Sequence, residues 1–352
     1  MKYIGKLLGS ILLIANIVVI VGLLCSGYSS YIDPVVHPIW ACAGLTFGIF
    51  LLLNVLFLLF WLVVYPKFAL CAVVGLLLCW GPIRVYCPIH LGSAQAGNKS
   101  IKVLSYNTRW FGCIPLEKNN IISYLKESDA DIICLQEMDF WAELTHKEAD
   151  KFLSTYKYKH FNAKIHMGCY SRFPILSAKP VKYESESNGS MAYEMLVHGD
   201  TVLVINNHLE SYKLTGDDKA VYKQMVVHPN KHVVKKGSEQ LIKKLADAAA
   251  IRAPQAQAIQ KYIKNQKHEK VIVCGDFNDS PMSYALRLLR EDLQDAFATA
   301  GNGLGLSYHL NGFYFRIDHI LVSSHFKVTQ CKVDNSIDDS DHYPIYCQIQ
   351  LK

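Results

Sequence analysis

Two long uncharged runs near the start of the chain constrain its fold most strongly. Residues 7–26 and 39–65 contain no Asp, Glu, Lys or Arg and are 20 and 27 residues long. An α-helix rises about 1.5 Å per residue, so each run is long enough to cross roughly 30 Å of hydrocarbon. The first run is too long for a cleaved signal peptide, and we predict two spanning helices. Asn16 and Asn54 fall inside them, either as interhelical hydrogen-bonding groups or as tolerated single polar residues.

A third apolar run, 68–83, has only 16 residues and would form roughly 24 Å of helix. It fits a short span, a re-entrant segment or an interfacial helix. Lys67 and Arg84 at its ends and Trp80 near one end favour a span, because such side chains settle at a bilayer surface. We therefore predict a membrane anchor over residues 1–86, with spans at about 7–26, 39–65 and 67–86, and a linker over 87–100.

The basic residues of this anchor predict its orientation. Positive residues collect on the cytoplasmic side of a membrane, which would place Lys2, Lys6 and Lys67 inside the cell. The connection 27–38 has no Lys or Arg and would lie outside. Three spans then give a multi-pass membrane protein whose remaining chain is extracytoplasmic.

Composition changes sharply after the anchor. The first 98 residues hold four basic and one acidic side chain, and the rest of the chain holds 32 basic and 29 acidic ones. About 250 residues suffice for a domain with a single core. Their small positive charge argues against a dedicated duplex-DNA binder. Eleven cysteines without a CxxC pair argue against structural zinc and predict mostly free, buried thiols.

In this second part of the chain, several apolar runs rich in β-branched residues end in short polar motifs. Such runs predict buried strands, and amphipathic stretches between them, such as 119–127 and 284–291, predict flanking helices. Carboxylate and amide oxygens favour a hard divalent cation, and histidines nearby supply proton transfer. The combination predicts metal-assisted attack on a phosphate ester. The motifs are SYN at 105–107, LQE at 135–137, NHLES at 207–211, GDFND at 275–279, RID at 316–318 and SDHYP at 340–344.

Residues 100–352 resemble the endonuclease/exonuclease/phosphatase family, because all six motifs occur in that family's order. The family includes DNase I, abasic endonucleases, neutral sphingomyelinases and inositol polyphosphate 5-phosphatases. The resemblance implies an α/β fold over residues 101–352. Its architecture would be a four-layer α/β/β/α sandwich of two packed mixed sheets.

A metal site is expected around Glu137. This carboxylate ends a strand, and Asn107 nearby adds an oxygen ligand, so the two can form a small all-oxygen site with positions open for water and phosphate. The resemblance implies that Asp341 completes or supports the site. Mg²⁺ fits such ligands best, with Mn²⁺ as a substitute.

The resemblance also implies the groups that act on water and phosphate. Asp276 matches the family residue that orients or deprotonates the attacking water. Asn278 lies two residues on, so on an extended segment it would point to the same side and donate to Asp276 or to the phosphate. His342 would contact the phosphate, with Asp318 orienting its ring through the other nitrogen.

His208 occupies a second histidine position, found in the DNase I and sphingomyelinase branches. Abasic endonucleases have a tyrosine there, which argues against a purely abasic-site role. Glu194 is the candidate carboxylate partner of His208, with a salt bridge at the core edge as the alternative reading. We expect His208 and His342 to titrate near neutrality, with pKa values raised by their carboxylate partners.

These observations predict a membrane-anchored, divalent-metal-dependent phosphoesterase, foremost a phosphodiesterase or nuclease-like hydrolase. A lipid-directed, sphingomyelinase-like phosphodiesterase and an inositol phosphate phosphatase are the alternatives. An inactive receptor or scaffold is disfavoured because no catalytic side chain is missing. The expected partners are a nucleic-acid or phospholipid-head-group substrate and the bilayer, with no obligate protein partner. The stretch 213–244 has eight lysines against three acids and fits either a polyanion or lipid contact or a solvated helix face.

Overall fold

A computed structural model describes residues 2–90, 92, 99–113, 119–139, 149–151, 153–186, 188–213, 218, 221, 231–310 and 313–352. The predicted linker 87–100 and the basic stretch 213–244 therefore lie partly outside the described residues. The helices are α1 Lys2–Gly27, α2 Pro38–Ala41, α3 Phe47–Val64, α4 Pro66–Leu78, α5 Trp80–Tyr86, α6 Asn120–Glu127, α7 Lys231–Gln266, α8 Tyr284–Leu289 and α9 Ala296–Ala300.

The apolar runs of the first part are helical, as predicted. Leu7–Tyr31 and Pro38–Val64 are each long and apolar enough to cross a membrane. The third run is broken at Cys79: α4 and α5 meet at a bend of 66° and could together form one more span. Neither α4, with 13 residues, nor α5, with 7, is long enough to cross alone.

A buried polar network joins α1, α3 and α4. The side-chain amide of Asn16 donates to Asn54 Oδ1 at 3.2 Å and accepts from the Trp61 indole at 3.0 Å. Asn54 in turn donates to the carbonyl of Ala72 in α4 at 3.0 Å. Polar groups in hydrocarbon are satisfied within the protein, so these bonds favour one arrangement of the three helices. Of the two readings of Asn16 and Asn54, the structure supports interhelical hydrogen bonding.

The remaining chain forms two mixed six-stranded sheets. The first sheet has the order β11-β12-β1-β2-β4-β3, and the second has the order β5-β6-β7-β8-β10-β9. The strands are β1 Ser100–Asn107, β2 Ile132–Gln136, β3 Tyr158–Asn162, β4 Met167–Ser171, β5 Ile175–Pro180, β6 Gly189–Val197, β7 Asp200–His208, β8 Val271–Asp276, β9 Gln294–Asp295, β10 Asp318–Val322, β11 Phe326–Val333 and β12 Ile345–Leu351.

Alternation along the strands builds the layers. Val103 of β1 and Val204 of β7 point into the core between the sheets. Their neighbours point outward: Leu104 packs in a cluster with residues of α6, and Leu203 packs in one with residues of α7 and α8. Two sheets face each other with helices outside both, which confirms the predicted α/β/β/α sandwich. The cysteines with described environments are free thiols, as expected.

The anchor and the sandwich are packed together. The connection between α1 and α3 contacts the sandwich at Gly44, where an added Cβ would lie 2.6 Å from the carbonyl oxygen of Met282. Arg287 of α8 donates to the carbonyl of Ser30 at 2.9 Å and covers the Tyr31 ring. Buried Arg316 donates to the carbonyl of Val85 at the end of α5. An apolar cluster spans the same boundary: Leu23, Phe47, Cys79, Val85 and Met282.

The close approach at Gly44 predicts a stability effect. Gly44→Ala should destabilise the protein by about 1–3 kcal/mol, because the new methyl must push the connection off Met282. Gly81→Ala is the matched control, since nothing lies within 4 Å of its added Cβ and alanine favours the helix. The measurement is thermal unfolding of both variants in detergent. Equal midpoints for the two variants would contradict the packing described at Gly44.

Candidate active site

The predicted site residues stand at the ends of paired strands. In the first sheet, parallel pairing of β1 and β2 places Asn107 opposite the residue before Glu137. In the second sheet, His208 ends β7 opposite Asp276, which ends β8. Asp318 begins β10 and also pairs with Asp276. Because the sheets face each other, these ends converge at one edge of the sandwich.

Local backbone features set the directions of these side chains. Gly275 has φ +135°, and a Cβ there would lie 2.0 Å from the Asn207 carbonyl oxygen, so only glycine fits between β7 and β8. Glu137 and Asn278 also have positive φ, 46° and 50°. Both are non-glycine residues just past strand ends, where such conformations often accompany functional sites.

The carboxylate of Asp276 lies at the centre of the site. Its Oδ2 accepts from the Asn107 amide at 3.0 Å, and its Oδ1 accepts from the backbone N–H of Asn278 at 2.7 Å. The Nε2 atoms of His208 and His342 are each 3.7 Å from Oδ2. Both sheets and both histidines therefore meet at one buried carboxylate.

His342 is held by a buried carboxylate–histidine pair. Its Nδ1 lies 2.8 Å from Asp318 Oδ2, which leaves Nε2 facing Asp276. The Ser340 hydroxyl accepts from the backbone N–H of His342 at 3.2 Å and donates to the Asn107 carbonyl at 2.8 Å. The ring of Tyr308 meets the imidazole edge-on, with centroids 5.2 Å apart. The pairing of His342 with Asp318 follows the expectation from the sequence.

The environments of the ionisable groups separate their pKa values. Burial raises the pKa of Asp276 to about 6, although the two histidines oppose the shift. Burial alone would lower the pKa of His342, but Asp318 and Asp276 outweigh it and raise the pKa to about 10. Burial lowers the pKa of His208 despite nearby carboxylates. The expectation of a raised pKa is therefore correct for His342 and wrong for His208.

Two groups of side chains could hold a metal ion. Asp276, Asp318 and His342 offer ligand atoms within 4.8 Å of one another. In that group, however, His342 already shares its Nδ1 with Asp318, and its raised pKa keeps it cationic near neutral pH. A cationic imidazole does not ligate a metal, so this group fits a divalent ion poorly.

Glu137, Asn107 and Asp341 fit a cation better. Burial raises the pKa of Glu137, and the charge of Asp341 adds to the shift, whereas the charge of His342 and the hydrogen bond from Asn107 oppose it. The Arg109 guanidinium also opposes the shift, and its Nε lies 3.8 Å from Asp341. The Asn107 amide nitrogen donates to Glu137 at 3.2 Å, and its oxygen accepts from the backbone N–H of Arg109 at 3.1 Å, so the carboxylates of Glu137 and Asp341 are the main oxygen ligands. Oxygen ligands of this kind suit Mg²⁺ or Mn²⁺.

Two predicted roles need correction. The Asn278 side chain donates to the Leu209 carbonyl at 3.0 Å, and the backbone N–H, not the amide, contacts Asp276, because the positive φ breaks the extended geometry. Glu194 is not brought to His208. Its carboxylate accepts a hydrogen bond from Ser177 and lies 3.3 Å from His268, which is the alternative salt bridge. Along β6, Glu194 is five residues from Gly189, the residue that pairs with His208.

Sequence reasoning missed three supporting residues. Gln136, in the LQE motif, donates across the sheets to Asn206 at 2.6 Å beneath the site. Ser340 and Tyr308 position His342. Ser340 stands in the SDHYP motif and could have been assigned a role from that position. Tyr308 lies in no motif, and only the fold brings it to His342.

The pKa values predict a pH–rate profile. Asp276 should act in its ionised form and His342 in its protonated form, so kcat/KM should rise through about pH 6 and fall near pH 10. Asp318→Asn removes the main carboxylate that raises the pKa of His342, so the alkaline limb should move to lower pH. Asp292→Asn, the same change at an exposed surface pair, is the control. An alkaline limb that stays in place in Asp318→Asn would contradict this assignment.

Comparison with known proteins agrees with this geometry. The model of the Endonuclease/Exonuclease/phosphatase family matches residues 104–342, and a model described as a domain of unknown function matches residues 9–86. No curated protein matches the chain.

Solved structures share the fold. The human nocturnin catalytic domain is similar at 16% identity and TM-score 0.52, over 74% of this chain and 97% of that one. D. rerio TDP2 with a single-strand DNA product gives 16% identity and TM-score 0.51, over 72% and 100%. An endonuclease/exonuclease/phosphatase from Bacteroides vulgatus gives 16% and 0.51, over 72% and 99%. With its sandwich, its strand-end residues and a match over most of its length, the chain belongs to the endonuclease/exonuclease/phosphatase family.

Proposed function

We propose that the protein is a membrane-anchored phosphodiesterase that depends on Mg²⁺, with Mn²⁺ as a substitute. The observation that carries the proposal is the convergence of Asp276, His342 and Glu137 at one edge of the sandwich. Separated pKa values for neighbouring acids and bases are typical of catalytic sites. Family membership supports hydrolysis of phosphate esters as the reaction class.

The residues that would hold the metal are Glu137, Asn107 and Asp341. When bound, a divalent ion neutralises charge that develops on the phosphate oxygens. The carboxylate oxygens of Glu137 and Asp341 would attract the ion. The hydrogen bond from Asn107 to Glu137 fixes the direction of that carboxylate.

Asp276 and His342 would act on water and phosphate respectively. Ionised Asp276 accepts a proton as the water oxygen bonds to phosphorus, and its raised pKa makes it a stronger base than an ordinary aspartate. His342, cationic and held by Asp318, donates a hydrogen bond to a phosphate oxygen. One phosphorus–oxygen ester bond breaks, and the products are a phosphate monoester and an alcohol.

His208 would act in its neutral form. Its Nε2 is 3.7 Å from both Glu137 and Asp276, and its lowered pKa leaves it uncharged near neutral pH. A neutral imidazole can donate one hydrogen bond and accept another, which suits it to orient a water molecule or a phosphate oxygen. The site thus has one cationic and one neutral histidine.

The metal requirement gives a direct test on the full-length protein in lipid nanodiscs. Hydrolysis of bis(p-nitrophenyl) phosphate should stop with EDTA and return with Mg²⁺ or Mn²⁺. Glu137→Gln should lower kcat/KM at least about 100-fold, because even residues behind metal ligands cost 10–100-fold. Glu194→Gln is a matched change outside the site and should have little effect. Full activity in EDTA would rule out the metal mechanism.

We also infer that α4 and α5 complete a third membrane crossing. The connection between α1 and α3 packs on the sandwich at Gly44 and Ser30, so both lie on the same side of a bilayer crossed by α1 and α3. The chain leaves α3 on the other side at residue 65. It must therefore cross back between residues 66 and 86 to reach the sandwich.

The topology predicts where the ends of the chain lie. Lys2, Lys6 and Lys67 would be cytoplasmic and the sandwich extracytoplasmic, so alkaline phosphatase fused after Lys352 should be active and green fluorescent protein dark. Val36→Cys, on the exposed connection, should react with a membrane-impermeant maleimide from outside, compared with the unmodified chain. If green fluorescent protein fused after Lys352 is fluorescent while Val36→Cys is labelled from outside, the C-terminal end and the connection lie on opposite sides of the membrane. That result would contradict three crossings.

A further inference from the structure

The candidate catalytic residues line a pocket of about 440 Å³. Glu137, Asp276, Asn278, Asp341 and His342 form its polar end. The rest of its wall is largely apolar, unlike a surface made only to bind a charged group. The apolar wall is formed by Leu45, Leu241, Leu245, Phe313, Phe315 and Ile317.

One part of this wall belongs to the membrane anchor. Leu45 lies in a short 3₁₀ segment, Cys42–Thr46, that leads directly into α3. The preceding residue, Gly44, is held against Met282 of the sandwich. The apolar side of the catalytic pocket is therefore continuous with a helix that is long and apolar enough to span a membrane.

The exposed side chains near Leu45 are of the kind found at the depth of lipid head groups in a membrane. The connection that contains it exposes Tyr31, Ile39 and Trp40, each more than 60% accessible. Trp80, at the bend between α4 and α5, is 58% accessible. Aromatic residues of this kind collect where a membrane meets water, and an apolar patch in water would be costly.

The apolar lining continues beyond the pocket at Leu45 and Phe315. A narrow crevice of about 20 Å³ shares Leu45 and Phe315 with the pocket. Leu304 and Tyr314 also line this crevice, and both are exposed, at 43% and 57%. Leu45 and Phe315 thus line both the pocket and a crevice bordered by exposed apolar side chains.

The charge of the pocket does not match a polyanion. Among the described residues that line it, Lys213 is the cation besides His342. Its ammonium lies 2.7 Å from Glu186 and 2.9 Å from Glu210, so its charge is already balanced. Nucleic-acid binding draws its affinity from many unbalanced Lys and Arg contacts to phosphates.

We propose that this pocket binds the hydrocarbon chain of an amphipathic phosphodiester embedded in the bilayer, with Leu45 of the anchor forming part of the chain site. The inference rests on the proposed phosphodiesterase function and names its substrate class. The chain lies along Leu45, Leu241 and Phe315, and its phosphate reaches Asp276 and His342. Water bonds to phosphorus, one ester bond breaks, and the alcohol leaves with a proton.

Two chromogenic diesters that differ only in chain length test the proposal: p-nitrophenyl hexadecyl phosphate and p-nitrophenyl methyl phosphate. The full-length protein in nanodiscs should hydrolyse the hexadecyl ester with kcat/KM at least about 100-fold higher. Partition of the long chain into the nanodisc contributes to this ratio. Variants are therefore needed, because partition is the same for all of them.

Leu45→Ser should lower the ratio of the two kcat/KM values about 10-fold, since one leucine contact to the chain is lost. Leu241→Ser, on α7, is an independent second variant should the anchor variant fail to fold. Leu176→Ser changes an exposed leucine on β5 and should leave the ratio unchanged. If Leu45→Ser, Leu241→Ser and Leu176→Ser all had the same ratio of kcat/KM for the hexadecyl ester to kcat/KM for the methyl ester, the proposed chain site would be overturned.

Direct binding separates this proposal from the proposed function. Radiolabelled hexadecyl phosphate is added to wild type and to Leu241→Ser in nanodiscs, and binding above that of empty nanodiscs is measured. Binding that Leu241→Ser weakens, without hydrolysis of either ester, would overturn the phosphodiesterase activity alone. Hydrolysis of the methyl ester without such binding would overturn the chain site alone. Faster hydrolysis of a single-stranded oligonucleotide than of the hexadecyl ester would also overturn it.

Discussion

The buried carboxylate of Asp276 is the group on which the rest of the site depends. A buried charge is costly unless hydrogen bonds and opposite charges compensate it, and here the compensation comes from both sheets. Asn107 reaches it from the first sheet, and the backbone of Asn278 and the ring of His208 reach it from the second. A shift of one sheet relative to the other would break these contacts to Asp276. The geometry of the site therefore depends on how the two sheets pack.

Burial and charge give the two histidines different states. His342 is paired with Asp318 and remains protonated, whereas His208 faces carboxylates at longer distance and loses its proton because burial dominates. The charges of Asp318 and Asp276 and the 2.8 Å hydrogen bond to Asp318 raise the pKa of His342, whereas the carboxylates beside His208 lie 3.7 Å away and the charge of His342 helps burial to lower its pKa. Two residues of one type thereby take two different charge states within one cluster.

Much of this architecture could be predicted from the sequence. The motif order predicts the sandwich, and the strand-end positions of Asn107, Glu137 and Asp276 follow from parallel pairing. The role of Asn278 could not be predicted, because its positive φ replaces the extended geometry on which side-chain alternation depends. The pKa of His208 depends on burial, which only the assembled fold sets. Glu194 illustrates the same limit, since its partner His268 is distant in sequence.

The contact between anchor and sandwich has a consequence for how this enzyme can be studied. A fragment that begins after the helices, at residue 99, resembles a complete soluble domain by composition and by its two sheets. It lacks Leu45, however, and it leaves Met282 without the connection that covers it. Arg316 also loses the Val85 carbonyl that accepts one of its buried hydrogen bonds. Truncation would thus remove Leu45 from the lining of the pocket, and a substrate screen on the fragment would sample a different cavity from that of the intact protein.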